Sequence, residues 1–201
     1  MCYDEFEMWV RGAAIRPVPP YAVVDRAALD RIEEELAENG LATKSDLDDA
    51  FGRFERTQPA LAARAAQVLA RPLDETALAL GYFLTIAVWL AFERAFDARL
   101  REVPDAELEA AEAALELEEE LRTAHADEPL DLDDVMAIEQ PGVLGFINEH
   151  VDAALEPAEP EARDVDVDDV HLVYRSVLVM TLALSHAVAP VSGARPREML
   201  A

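Results

Sequence analysis

One helical pair occurs twice in this chain, and that repetition constrains the fold more than any composition figure. The first copy reads Gln58-Pro59, then Leu73-Asp74-Glu75, then an apolar run through Leu78, Phe83, Leu84 and Val88. The second reads Gln140-Pro141, then Val167-Asp168-Asp169, then an apolar run through Leu172, Val177, Leu178 and Leu182. Each copy is an amphipathic helix, an acidic turn and a helix that is apolar on most of its faces. Two such units predict an all-α fold: a pseudo-symmetric helical bundle built from two related helix pairs, with an N-terminal helix and an acidic connecting helix.

The domain organisation follows. Residues 1–24 read as an extended N-terminal arm, because Pro17, Pro19 and Pro20 exclude helix, with Phe6, Trp9 and Tyr21 packed on the body or on a partner. Residues 25–190 form one helical-bundle domain, with copy one over about 46–101 and copy two over about 131–189, and residues 191–201 are a flexible tail. At 201 residues, 52% of them hydrophobic, the chain has enough apolar surface for a core without staples.

Local signals place the helices. Asp25 caps a helix to Asn39, with Leu29, Ile32 and Leu36 on one face and Asn39-Gly40 as its stop. A helix over 46–70 carries Leu47, Phe51, Phe54, Leu61, Ala65 and Leu69 inward, and Pro59 kinks or splits it. The helix over 74–101 has no charge between Thr76 and Phe92, so it belongs at the centre. An acidic helix from Asp105 to Arg122 has only a thin stripe of Leu108, Leu115, Leu117 and Leu121, and reads as a connector or surface helix. In the second copy one helix runs from Asp131 to Leu155 with Pro141 inside it, and another from Asp168 to Ala189. The loop over 156–166 accounts for most of the length difference between copies.

Charge excludes several functions. The chain has 42 acids against 17 bases, a net charge of −25, and one lysine, Lys44. Such a field repels nucleic acid, so no direct nucleic-acid binding is expected, and it favours basic partners. A solvated acidic surface, a docking face for a basic protein, and adaptation to high salt all produce this composition. Cys2 is the only cysteine and excludes an internal disulfide, and no basic leader precedes an apolar stretch; both fit a cytoplasmic location. The uncharged stretches Thr76–Phe92 and Ser176–Ala194 approach spanning length. Paired as a hairpin they would put Arg94, Arg99 and Arg101 on the same side as Arg175. Ser185, His186, Pro190 and Ser192 in the second stretch argue against a membrane.

Candidate chemistry comes from topology. Antiparallel neighbours would bring the end of the Asp131–Leu155 helix beside the start of the next, gathering Glu149, His150, Asp168 and His171. Oxygen and imidazole ligands together suit a divalent metal such as zinc, iron or manganese. Matched on the Gln-Pro pairs and acidic turns, the first copy has Gln67, Val68 and Ala77 opposite Glu149, His150 and His171, so such a site would be single. There is no Glu-x-x-His for a di-iron bundle, no Gly-x-Ser-x-Gly elbow and no basic stripe. His186 beside Ser185 reads as a hydrogen-bonded core residue.

The leading expectation is a non-catalytic acidic adaptor, scaffold or regulatory protein that docks a protein partner, a basic one or a second copy in a homodimer. No cofactor is expected on that reading. The alternatives are a helical metalloenzyme with one carboxylate–histidine site and an acidic nucleic-acid mimic.

Overall fold

The computed structural model describes residues 16–38, 44–124, 140–156 and 165–191. Among them the chain is all-helical, with seven helices and no strand. They are α1 (Arg26–Glu38), α2 (Lys44–Thr57), α3 (Pro59–Leu69), α4 (Glu75–Phe96), α5 (Asp105–Ala124), α6 (Pro141–Leu155) and α7 (Val167–Ala187). Phe6, Trp9, Asn39-Gly40, the 131–139 stretch and the tail from 192 lie outside the described residues.

Each Gln-Pro pair is a helix start. Pro59 and Pro141 occupy the first helical turn, where a missing N–H costs nothing and the fixed φ fits. The helix expected over 46–70 is therefore two helices, and Pro141 opens α6 and does not kink it.

The centre is the pair α4 and α7, which share the largest interface and bury Leu84, Trp89, Phe92, Val177, Leu182 and Leu184. They run in the same direction. At their starts Asp74 caps α4 by accepting from the Ala77 N–H (2.9 Å), and Asp166 caps α7 by accepting from the Asp168 N–H (3.0 Å). The caps also join each other: the Asp166 N–H donates to the Asp74 carboxylate (3.0 Å), and the Asp74 N–H donates to Asp169 (2.8 Å). At the far ends Leu100 and Val188 form an isolated antiparallel bridge. The Arg101 N–H donates to the Ala187 carbonyl (3.1 Å) and the Ala189 N–H to that of Arg99 (2.8 Å). The α7 cap is thus Asp166, and the helix begins at Val167, one residue before the start expected at Asp168.

Both central helices are long and apolar enough to cross a membrane by length and composition, with 67% and 61% of their apolar windows buried inside the fold. A hairpin requires antiparallel spans. These helices are parallel, so Arg175, in the first half of α7, and Arg94, at the end of α4, do not share an end.

The outer helices cover this pair. α1 lies on α4 and α6, while α5 lies on α7 and α3. The thin stripe of α5 packs inward through its own Leu108, Ala111 and Leu115, while Leu117 is exposed. α2 packs on α3 and α4, where Phe54 meets Trp89 at 5.3 Å between ring centroids. α4 ends at Asp97, whose φ of 45° turns the chain out of the helix.

Candidate functional site

The buried glutamines hold the outer helices in place. Gln58 has φ −139° and ψ 61°, Gln140 has φ −139° and ψ 60°, and neither side chain caps its own helix. Each instead grips an extended segment elsewhere in the chain. Gln58 accepts from the Val103 N–H (2.9 Å) and donates to the Arg101 carbonyl (2.9 Å). Gln140 accepts from the Val24 N–H (3.0 Å) and donates to the Ala22 carbonyl (2.8 Å) and to the Ser185 hydroxyl (2.9 Å). A primary amide has an acceptor and a donor at the spacing of a backbone amide, so it completes two buried groups of a strand-like segment with one side chain. The gripped segments lead directly into α5 and α1. The described part of the N-terminal arm is therefore built into the core, with Val18, Ala22 and Val24 buried.

Past each glutamine the chain builds an inter-helix junction. At the junction of α1, α4 and α6, Phe146 and His150 sit six and ten residues after Gln140. With Phe83 they form an aromatic cluster: His150 lies 4.3 Å from Phe146 and 4.8 Å from Phe83 between ring centroids. His150 Nδ1 is 2.9 Å from the Phe146 carbonyl oxygen, and its Nε2 is 3.3 Å from Glu33 on α1. Arg26 stacks 5.4 Å from the Phe146 ring centroid and donates to Asp30 (2.6 Å) and Glu149 (2.5 Å). The hydrogen bond from Arg26 holds the Glu149 carboxyl below the usual glutamate range, and the same bond raises the Arg26 pKa further.

The four sequence-predicted ligands are not gathered by this arrangement. Glu149 and His150 face α1, where Arg26 and Glu33 engage them. Asp168 lies exposed in the first turn of α7 and its N–H is taken by Asp166. His171 is exposed one turn further on. Among the described residues no three His, Cys, Asp or Glu side chains stand close enough to share a metal ion.

The junction of α3, α5 and α7 is different. Six and ten residues after Gln58 stand Arg64 and Val68. Here the helices leave a cleft of about 210 Å³. Its wall is mixed: Leu61, Ala65, Val68, Leu108, Val179 and Met180 stand beside Thr85 and Ser176. Its rim is charged. Arg64 pairs with Glu112 (2.6 Å) and binds α3 to α5. Arg175 pairs with Glu119 (2.8 Å) and binds α7 to α5. Arg71 and Glu116 also line the cleft, both are exposed, and neither has an ion-pair partner among the described residues.

Sequence reasoning missed this cleft. Its charges lie on or beside three helices far apart in the chain, and the one readable signal is Arg175, which stands immediately before the uncharged stretch from Ser176. Comparison with known protein families, with curated proteins and with solved structures finds no match to this chain.

Proposed function

We propose that this chain is an internally duplicated, pseudo-two-fold bundle that works in the cytoplasm as a non-catalytic docking protein. In this reading α1, α3 and α4 correspond to α5, α6 and α7. Each copy contributes a gripped segment to the other copy's glutamine. The matched backbone angles and reciprocal grips of Gln58 and Gln140 support the duplication. Matching the caps Asp74 and Asp166 puts Ala79 opposite His171, not Ala77.

The observation that carries docking is the outward face of α5. Ala106, Ala110, Ala113 and Leu117 recur at i, i+4, i+7 and i+11 and are all exposed, Leu117 at 45%. Asp105, Glu109, Glu116 and Glu120 form an exposed acidic row beside them. Small residues let a partner helix approach closely, and the carboxylates select a basic partner and hasten encounter. The nucleic-acid-mimic reading also asks for a row of carboxylates. It fits less well, because Arg64 and Arg175 neutralise Glu112 and Glu119 on the same helix.

The test is co-purification of wild-type protein, Leu117→Arg and Glu109→Lys from host lysate at low and high salt, with melting curves for all three. The account expects a partner, another protein or a second copy, that is lost at high salt and weakened by roughly tenfold in either variant. A partner held equally by all three proteins would remove α5 from the account.

A further inference from the structure

We propose that the cleft between α3, α5 and α7 binds a small apolar zwitterion, an apolar α-amino acid being the simplest member of the class. Three observations converge on that chemistry.

The first is size and lining. An apolar cavity of roughly 150 Å³ accepts a ligand the size of benzene. A cleft of about 210 Å³ lined in part by Leu61, Val68, Val179 and Met180 therefore accommodates a leucine- or phenylalanine-sized body.

The second is the rim. Arg64 and Arg175 are already engaged with glutamates and act as the frame. Arg71 and Glu116 remain as one cation and one anion without ion-pair partners among the described residues, and they do not pair with each other. A ligand carboxylate satisfies the guanidinium and a ligand ammonium satisfies the carboxylate, each by a charge-assisted hydrogen bond. The lining carries both signs, Arg64, Arg71 and Arg175 against Glu112 and Glu116, which suits a ligand that carries both.

The third is the contrast with the other junction. There Phe146 and His150 stand where α3 has Arg64 and Val68, and with Phe83 they occupy the space. The opening at α3 is thus a consequence of specific residues and not of a generally loose bundle.

Isothermal titration with L-leucine and L-phenylalanine tests the proposal, with 4-methylpentanoate and 3-methylbutylamine as analogues of leucine lacking one charge each. The proteins are wild type, Arg71→Met, Glu116→Gln and Leu117→Arg. Arg71 and Glu116 are surface residues, so melting curves should be unchanged. The expected result is saturable binding of at least one amino acid to wild type. Affinity falls roughly tenfold to a hundredfold for both analogues, for Arg71→Met and for Glu116→Gln. Leu117→Arg, which breaks the docking face, binds the amino acid normally, so the two proposals fail separately. No saturable binding below about 10 mM overturns the inference. So does binding that ignores both Arg71→Met and Glu116→Gln, or an acid or amine that binds as well as the amino acid.

Discussion

Six residues after its corner glutamine, α6 carries Phe146, fully buried, while α3 carries Arg64, whose side chain is 41% exposed. Nine residues after the gripped valine, α1 carries Glu33 and α5 carries Glu112, and each reaches across to the neighbouring helix. Glu33 meets an imidazole packed among phenylalanines, whereas Glu112 meets a guanidinium over a cleft. Two junctions that each begin at a glutamine grip thus end in opposite states. One is filled by three rings. The other keeps a cleft, rimmed by arginines whose long side chains pair with carboxylates on α5. The frame is set by buried polar groups that must be satisfied, and the use of the space inside it is set by a few side chains.

That contrast predicts its own ways of breaking. The largest expected difference is between truncations at the matched position. Phe146→Ala should lose about 3–5 kcal/mol of stability, and Arg64→Ala less than about 1 kcal/mol, by chemical denaturation. Next come the glutamines. Gln140→Ala leaves the Val24 N–H and Ala22 carbonyl unpaired in the core and removes the bond to Ser185, so it should cost about 3 kcal/mol or more. Gln58→Ala loses two bonds and should cost about 2 kcal/mol. Equal losses would mean that Ser185 adds nothing to the second grip.

Smaller effects sharpen the same point. A Cβ on Gly142 would stand 2.7 Å from the Arg26 nitrogen and 2.8 Å from the Val24 oxygen, so backbone would have to shift. Gly142→Ala should destabilise by about 1–3 kcal/mol. Ala60, at the matched place in α3, already carries that atom, so α3 need not approach its neighbour so closely. The smallest effect is electrostatic. Glu149 has a depressed pKa when folded, so its pairing with Arg26 stabilises the fold above the ordinary glutamate range and is lost as pH falls through the lowered folded value. Gln67, at the same distance from its glutamine in α3, carries no ionisable group. Carboxyl NMR should show Glu149 titrating below ordinary glutamates and returning upward in Arg26→Met.

Much of the frame was legible in the sequence. The uncharged run from Thr76 to Phe92 marked the central helix, because a segment apolar on every face has to be enclosed. Gln-Pro marked real corners, though as helix starts. The role of the glutamines was not legible: Gln140 and Val24 are 116 residues apart, and no local pattern announces such a pair. The four proposed ligands were placed by chain direction alone. Glu149 and His150 instead meet α1, which has its own Arg26 and Glu33 for them. The cleft was invisible for a related reason. It depends on what Arg64 on α3 and Arg175 on α7 reach for on α5, and periodicity records which face is apolar but not which side chains meet.

The most direct measurement of the contrast is methyl NMR of the full chain during titration with the amino acid that binds best. Shifts are expected at Leu61, Val68, Val179 and Met180, with the buried α6 residues Val143, Leu144 and Ile147 unmoved. Shifts of equal size in both junctions, or in neither at millimolar ligand, would contradict it.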